Sequence, residues 1–182
     1  MAKVILICGK ICCGKSTYGE RLRAQEKAAL LSVDELMLAL FGQHAGEKHD
    51  DYTARVQAYL YQKSLELLAA GMRVILDWGF WTRESRCFAR RFYEKRGIPL
   101  EFHYIDISER CWRERLKKRN AAVLNGQANA YFVDEGLSEK FSSLFEAPKR
   151  EEIDCWLGEP ELRALFGEKG VKEERRSHGA DS

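Results

Sequence analysis

The chain lacks long apolar runs, cysteine pairs at metal-binding spacing and a large excess of charge of one sign. Its apolar runs, such as residues 74–76, are far too short to cross a bilayer, and its start shows no secretory signal pattern. Thirty basic and 28 acidic residues leave a formal charge of +2, so no global field favours nucleic acid or membrane as a partner. The six cysteines show no C-x-x-C pair or zinc-ligand spacing, which favours reduced thiols in a cytoplasmic protein.

What the chain does contain is a glycine-rich stretch near its start that fits the pattern G-x-x-x-x-G-K-[ST]. Residues 4–8 before it form a short apolar, β-branched run typical of a buried strand, and residues 18–24 after it have helical spacing. Strand, glycine loop and helix are the context that this Walker A motif needs. The sequence therefore predicts a nucleoside triphosphate site at Gly9, Lys10, Ile11, Cys12, Cys13, Gly14, Lys15, Ser16 and Thr17.

Each fixed position of the motif has a physical role. Gly9 and Gly14 permit backbone conformations closed to residues with a Cβ, so that the loop N–H groups can surround a phosphate. The helix that begins near Lys15 directs the positive end of its dipole at the same anion. We expect Lys15 to contact the β- and γ-phosphates and the Ser16 hydroxyl to coordinate Mg²⁺.

Two cysteines inside this loop are unusual. The small side chains of Cys12 and Cys13 are compatible with it, because the loop backbone holds the phosphate. A thiol beside a helix N-terminus can have a lowered pKa and be sensitive to oxidation, so a redox role for either cysteine stays open.

Strand and helix patterns alternate along the chain, which predicts an α/β fold with a parallel sheet covered on both faces. One domain is expected over residues 1–167, followed at 168–182 by a charged, aliphatic-poor composition that predicts disorder. The predicted strands are residues 4–8, 28–32, 73–77, 100–106 and 153–157. The predicted helices include residues 33–41, 51–70 and 133–145, and two more that are capped by Thr82 and Ser108, the first with Phe88 and Phe92 facing inward.

The carboxyl ends of the first three predicted strands carry polar residues. Ligands of open α/β sheets bind beyond these strand ends. We therefore expect residues 9–16, 32–34 and 77–79 to face one cleft, although they are distant in sequence.

Two carboxylates are candidates for the chemistry in this cleft. Transfer of a phosphoryl group to an alcohol needs a carboxylate that accepts the hydroxyl proton. Asp34 is the first candidate for this base and Asp77 is the second. Asp77 also fits a Walker B carboxylate, which holds Mg²⁺ directly or through water. The structural alternative for Asp34 is a helix N-cap.

A basic cluster follows the fourth predicted strand. Arg115 and Arg119 are four residues apart on one predicted helix and project to the same side, which suits contact with a nucleotide. Arg119 is the candidate for stabilising charge in the transition state, and residues 120–131, read as a loop by composition, are the predicted lid. A solvated face is the alternative, because further basic residues lie nearby at Arg110, Arg113, Lys117 and Lys118.

Residues 78–81 form an aromatic segment that reads as a loop. Trp78 and its neighbours suggest a partly apolar acceptor pocket, with ordinary packing as the alternative. Arg83 and Arg86 follow on the next predicted helix. Either arginine is a candidate for holding the acceptor or a phosphate, and either can equally be a surface residue.

At these residues the chain resembles the P-loop kinases of the group that includes zeta toxins, chloramphenicol phosphotransferase and polynucleotide 5′-kinase domains. The Leu-Asp-x-Gly-Phe-Trp phrase at residues 76–81 is most similar to uncharacterised ATP-binding members. The resemblance implies a P-loop NTPase three-layer sandwich with a five-stranded parallel sheet in the order 2-3-1-4-5. It also implies ATP as the nucleotide, Asp34 as the base, and nucleotide contacts by Arg115 and Arg119. The similar parts are residues 9–17, 32–34, Asp77, Arg83, Arg86 and 115–120.

The leading prediction is an ATP- and Mg²⁺-dependent kinase that phosphorylates a hydroxyl of a small molecule. A polynucleotide 5′-hydroxyl kinase is second, because those enzymes usually carry an arginine shortly after the base aspartate and residues 36–40 contain none. A third possibility, from another class, is an ATP-binding switch or slow ATPase that acts through a protein partner. The acceptor and the oligomeric state are not encoded in any pattern that we recognise.

Overall fold

Helices and strands alternate in the computed structural model, which describes residues 2–43, 46–128 and 130–167. The predicted disorder at residues 168–182 lies outside these described residues. The strands are β1 (Val4–Cys8), β2 (Ala29–Ser32), β3 (Val74–Gly79), β4 (Leu100–Ile105) and β5 (Cys155–Leu157). The helices are α1 (Lys15–Glu26), α2 (Val33–Phe41), α3 (His49–Ala69), α4 (Arg83–Glu94), α5 (Glu109–Leu124), α6 (Glu135–Leu144) and α7 (Glu159–Phe166).

All five strands are parallel and lie in the order β2-β3-β1-β4-β5. This confirms the predicted P-loop NTPase architecture and its strand order. The central strand β1 is fully buried along its whole length, which explains why its sequence is continuously apolar rather than alternating.

The sheet separates two hydrophobic cores, so the fold has three layers. Val4 and Leu6 of β1 point into the core formed with α3 and α4, whereas Ile5 and Ile7 point into the core formed with α1 and α7. Successive side chains of a strand point to opposite faces, so this single apolar run supplies both cores. Among the described residues, no helix is both long enough and apolar enough to span a membrane.

The register of the strands brings the predicted polar segments to one edge of the sheet. Asp77 of β3 is paired with Ile7 of β1 on one side and with Ser32 of β2 on the other. The loop after β1 and the start of α2 therefore leave the sheet at the level of Asp77.

The boundaries differ from the predictions at two functional segments. β3 continues through Trp78 and Gly79, so the aromatic segment is partly strand rather than loop. α5 continues to Leu124, so the proposed lid at residues 120–131 begins inside a helix. The reason is that Ala121 and Ala122 are strong helix formers, and the loop composition starts only after them.

The inward orientation predicted for Phe88 is wrong. Its side chain is 55% exposed, and the buried face of α4 is formed by Arg86, Ala89 and Tyr93. Phe88 instead packs edge-on against the ring of Tyr61 at the surface, with ring centroids 5.5 Å apart.

Candidate active site

The loop between β1 and α1, residues 9–14, which we call the phosphate loop, needs glycine for two separate reasons. Gly9, Cys12 and Gly14 have φ angles of 154°, 61° and 106°, all in the region that side chains disfavour. A Cβ on Gly9 would also lie 2.6 Å from the Sγ of Cys13 and 3.1 Å from the carbonyl oxygen of Ile105. Gly14 is the N-cap of α1 and contributes no side-chain cap, so the first N–H groups of this helix are left for an anion.

Lys15 folds back onto the loop that precedes it. Its Nζ donates hydrogen bonds to the carbonyl oxygens of Gly9 at 3.1 Å and Lys10 at 2.8 Å. The ammonium group is thus held beside the loop backbone, where a bound phosphate would compete for it.

Ser16 and Asp77 form a direct pair at the foot of the loop. The Ser16 hydroxyl donates to Oδ2 of Asp77 at 2.8 Å, and Asp77 is only 4% exposed. Burial raises the pKa of the Asp77 carboxyl and the charge of Asp34 adds to this rise, whereas Lys15 and the hydrogen bond from Ser16 act in the opposite direction. A hydroxyl and a carboxylate are oxygen ligands of the kind that Mg²⁺ prefers, so the two side chains fit this ion.

Asp34 lies in the first turn of α2, and the capping role falls to its neighbour. The Ser32 side chain is the N-cap of α2, where it accepts a hydrogen bond from the backbone of the first turn. Asp34 itself is exposed, and its charge raises the pKa values of Asp77, Cys12 and Tyr131. Ser32 pairs with Asp77, and Asp77 pairs with Ile7, so Asp34, two residues after Ser32, lies at the same edge of the sheet as the phosphate loop.

Arg115 and Arg119 both contact the phosphate loop. Arg115 Nη1 donates to the carbonyl oxygen of Cys13, and Arg119 donates to the Sγ of Cys12 at 3.0 Å and to the carbonyl oxygen of Tyr131 at 3.1 Å. The neighbouring Arg110 and Arg113 instead form exposed ion pairs along α5, which is the solvated face expected as the alternative.

Residues 130–133, which we call the strap, overlap the end of the predicted lid and the start of the helix predicted at 133–145, and they make contacts that sequence analysis did not predict. The Gln43 side chain donates to the Ala130 carbonyl oxygen at 2.8 Å and accepts from the Phe132 N–H at 3.2 Å. The Asn120 side chain bonds both backbone groups of Val133 in the same manner. The strap therefore joins the end of α2 to α5, and no local pattern announces it because Gln43 is almost ninety residues away along the chain.

Tyr131 in the strap carries a polar atom in an unusual position. Its ring contacts His49 edge-on, and it packs beside the core of α2 and α3. Within the described residues, its Oη is buried without a hydrogen-bond partner, as is the Nε of Arg119. Buried polar atoms are normally paired, so these two atoms are exceptions within the described residues.

The acceptor role predicted for Arg86 is corrected by its surroundings. Arg86 is 3% exposed, and its guanidinium donates to Glu152 at 2.8 Å and to the carbonyl oxygens of Phe80 at 3.2 Å and Glu146 at 2.9 Å. A buried arginine needs such partners inside the fold, so Arg86 is structural. Arg83, in contrast, is exposed.

Trp78 is half-buried and packs against Tyr61, with ring centroids 5.1 Å apart, and against Phe80 at 5.2 Å.

The two cysteines of the phosphate loop differ from the lowered pKa that their position suggested. Burial raises the pKa values of Cys12 and Cys13, which is opposite to the lowering expected for a thiol beside a helix N-terminus. All six cysteines lie within the described residues and are free thiols.

A sequence family described as AAA domain matches residues 4–148, which is more than half of the chain. The chain belongs to this AAA-domain family. No curated protein sequence matches the chain.

Several solved kinases share the fold of this AAA-domain chain. A sugar kinase from a Janibacter species has 16% identity and a TM-score of 0.62, covering 91% of this chain and 94% of its own. The Mycobacterium tuberculosis APS kinase in complex with AMPPNP and APS has 18% identity and a TM-score of 0.62, with coverage of 91% and 97%. A chain of the Pnkp1/Rnl/Hen1 RNA repair complex has 20% identity and a TM-score of 0.63, with coverage of 79% and 43%. At these identities the likeness shows a common fold.

Proposed function

We propose that this AAA-domain protein is a P-loop kinase of the zeta toxin and chloramphenicol phosphotransferase type, which transfers the γ-phosphoryl group of ATP to a hydroxyl of a small molecule. The observation that carries the proposal is the arrangement at one sheet edge. The buried Asp77 accepts a hydrogen bond there from Ser16 just after the phosphate loop, and a second, exposed carboxylate, Asp34, closely follows Ser32, the strand partner of Asp77. The fold likeness to a kinase bound to AMPPNP, an ATP analogue, supports ATP as the nucleotide.

The residues have separate roles in this reaction. The loop amides and Lys15 hold the β- and γ-phosphates. Ser16 and Asp77 would hold Mg²⁺, which would neutralise phosphate charge. Asp34 accepts the proton of the acceptor hydroxyl while the oxygen of that hydroxyl attacks the γ-phosphorus. The bond from the γ-phosphorus to the bridging oxygen breaks, and ADP leaves. Arg119 stabilises the charge that develops on the transferred group, and Arg115 contacts the nucleotide.

Accessibility supports Asp34 rather than Asp77 as the base. Asp77 is buried and already bonded to Ser16, which suits a magnesium ligand. Asp34 is exposed and is free of the capping role that Ser32 fills. A general base must come within hydrogen-bond reach of the proton that it takes, and only the exposed carboxylate meets this condition without rearrangement.

The acceptor is proposed to bind between Asp34 and the strap. Tyr131 offers a hydroxyl there, and the exposed Arg83 remains a candidate for a charged group of the acceptor. A small molecule suits this setting, because the chain has a formal charge of only +2 and residues 36–40 contain no arginine for a nucleic acid end.

The test is an acceptor screen with Mg²⁺ and ATP, read by mass spectrometry as the gain of one phosphoryl group. The panel contains sugars, sugar acids, hydroxylated antibiotics, nucleosides and an oligonucleotide with a 5′-hydroxyl. With the acceptor found, Asp34→Asn should lower kcat by roughly 10²–10⁴ and leave ATP affinity nearly unchanged, whereas Lys15→Ala should weaken ATP binding itself. Full transfer by Asp34→Asn would exclude Asp34 as the base.

Other outcomes of the screen separate the competing functions. Transfer to the oligonucleotide alone identifies a polynucleotide kinase. Consumption of ATP without any phosphorylated product indicates a slow ATPase or switch. Absence of ATP binding by calorimetry rejects every version of the proposal.

A further inference from the structure

The phosphate loop can direct its N–H groups at an anion only if its carbonyl groups face away, and these carbonyls then need donors of their own. Lys15 supplies the donor for Gly9 and Lys10. The carbonyl oxygen of Ile11 accepts from the indole Nε1 of Trp112 at 2.7 Å. The loop is therefore held in shape by side chains as well as by its own backbone.

One face of α5 supplies the donors to the middle of the loop. Trp112, Arg115 and Arg119 are spaced three and four residues apart, so they lie on the same side of the helix. They bond to three consecutive loop residues: Trp112 to Ile11, Arg119 to Cys12 and Arg115 to Cys13.

The tryptophan differs from the other donors in this set. In the proposed reaction Lys15, Arg115 and Arg119 all turn to the nucleotide, and their bonds to the loop are exchanged for bonds to ligand. Trp112 is only 4% exposed, and its single N–H is directed at Ile11. Its ring also lies 5.3 Å from the Nζ of Lys10, which keeps a second loop residue against α5.

We propose that Trp112 is a positioning residue of the nucleotide site. Its indole N–H holds the Ile11 carbonyl outward and keeps the phosphate loop shaped for a polyphosphate throughout the reaction. The inference rests on the proposed function, because it assumes that the loop binds a polyphosphate. It adds a residue of α5 that affects nucleotide affinity through the backbone of the phosphate loop and does not touch the nucleotide.

Trp112→Phe tests this role, because phenylalanine keeps an aromatic ring against Lys10 and removes only the N–H donor and part of the ring. The variant is titrated by calorimetry with ATP and, separately, with inorganic tripolyphosphate, both with Mg²⁺. Both affinities should fall by a similar factor, roughly tenfold, because a partly buried carbonyl left without a donor favours other loop shapes. In turnover, KM for ATP should rise more than kcat falls.

Trp156→Phe is the matched control. Its indole Nε1 donates to Asp106 at 3.1 Å, so the same substitution removes the same kind of bond away from Ile11. This control should leave the tripolyphosphate affinity at the wild-type value. Amide hydrogen exchange in residues 10–14 should be faster in Trp112→Phe than in Trp156→Phe.

Three results would overturn the inference. Trp112→Phe with lowered Tm and wild-type affinity for tripolyphosphate would make Trp112 a packing residue. Weaker binding of ATP but not of tripolyphosphate would indicate contact with the base or ribose. The third result concerns the wild-type protein in its complex with tripolyphosphate. If the indole N–H of Trp112 exchanges freely with solvent there, its hydrogen bond to the Ile11 carbonyl is not kept. This last measurement needs no folded variant.

Failure of the proposed function has a different signature. Wild-type protein that binds neither ATP nor tripolyphosphate would reject the nucleotide site as a whole. Normal wild-type binding with an unaffected Trp112→Phe variant rejects only the positioning role.

Discussion

Asp77 is buried at the end of β3, and its pKa is raised above the ordinary value because a charged carboxylate loses its hydration there. Lys15 and Ser16 compensate for this loss only in part. The folded protein therefore holds the carboxyl proton more tightly than the unfolded chain does. Stability arising from this group is lost as the pH rises through the window that begins at the unfolded value of 3.8.

Asp77→Asn should consequently stabilise the protein and impair it as an enzyme. We expect a higher Tm than wild type at pH 7, by about 2–4 °C for each 1 kcal/mol recovered, and a difference that shrinks towards pH 4. Turnover of ATP with Mg²⁺ should fall by roughly tenfold or more, because an amide is a weaker magnesium ligand than a carboxylate. Differential scanning calorimetry across pH and a coupled ATPase assay measure the two effects.

Asp106→Asn is the control for this prediction, since Asp106 also follows a strand but is partly exposed. Its substitution should give no comparable rise in Tm at pH 7, because a partly exposed carboxylate keeps much of its hydration. A Tm of Asp77→Asn below wild type at pH 7 would mean that the hydrogen bond from Ser16 and the attraction of the Lys15 charge outweigh the effect of burial.

Single residues differ in how well sequence predicts them. Gly9, Gly14 and the caps at Ser108 and Thr82 were predictable, because local backbone geometry alone dictates their residue type. Arg86 was not, because its burial depends on Glu152, which is 66 residues away. A charged side chain with a distant partner carries no local sign of being inside the protein.

At the scale of elements, α5 joins the nucleotide loop to the strap. Its first half bonds to the loop through Trp112 and Arg115, and its second half bonds to the strap through Arg119 and Asn120. Sequence analysis predicted the helix and the side on which Arg115 and Arg119 lie. It did not predict where the helix ends or that the following residues bond to α2, because amide side chains select distant partners that leave no periodicity.

Gln43→Ala should release the strap without unfolding the domain. The change removes a donor for the Ala130 carbonyl and an acceptor for the Phe132 N–H, and Asn120 still holds Val133. Hydrogen exchange at Phe132 should accelerate by roughly fivefold, as expected when about 1 kcal/mol of local bonding is lost, with Tm lower by no more than about 4 °C.

The exposed Gln62 on α3 provides the control for the strap, because Gln62→Ala removes a carboxamide of the same size from the surface. It should leave exchange in the strap unchanged. If Phe132 exchanges at the wild-type rate in Gln43→Ala, the strap is held by α5 alone and does not connect to α2.

At the scale of the whole molecule, the backbone pairing of β1 with β3 and β4 determines which strand ends lie near the loop after β1. Alternation of strands and helices predicts a parallel sheet, but it does not predict which strands are neighbours. The order 2-3-1-4-5 came from the resemblance to P-loop kinases and is confirmed here. This order puts the end of β3 beside the loop after β1 and the end of β2 next to β3, so Asp77 and Asp34 lie at the same edge of the sheet as that loop.

Away from this site, Arg86 connects α4 to the segment that leads into β5. Its guanidinium links α4 to Glu152 in the turn before β5 and to the backbone at Glu146. Arg86→Met should lower stability by about 3 kcal/mol, the low end for breaking a buried ion pair, because Glu152 is 18% exposed and can regain some water. In a domain of this size the corresponding fall in Tm is about 6–12 °C, measurable by calorimetry.

The structural role of Arg86 makes further distinctions testable. Arg83→Met, at an exposed position on the same helix, should leave Tm nearly unchanged. Adding Glu152→Gln to Arg86→Met should recover part of the loss, because this second change removes the stranded charge and keeps a side-chain oxygen that can accept from the Lys149 N–H. Below the melting range, Arg86→Met should bind ATP as wild type does. A variant with wild-type Tm and a raised KM for the acceptor would instead return Arg86 to the acceptor site.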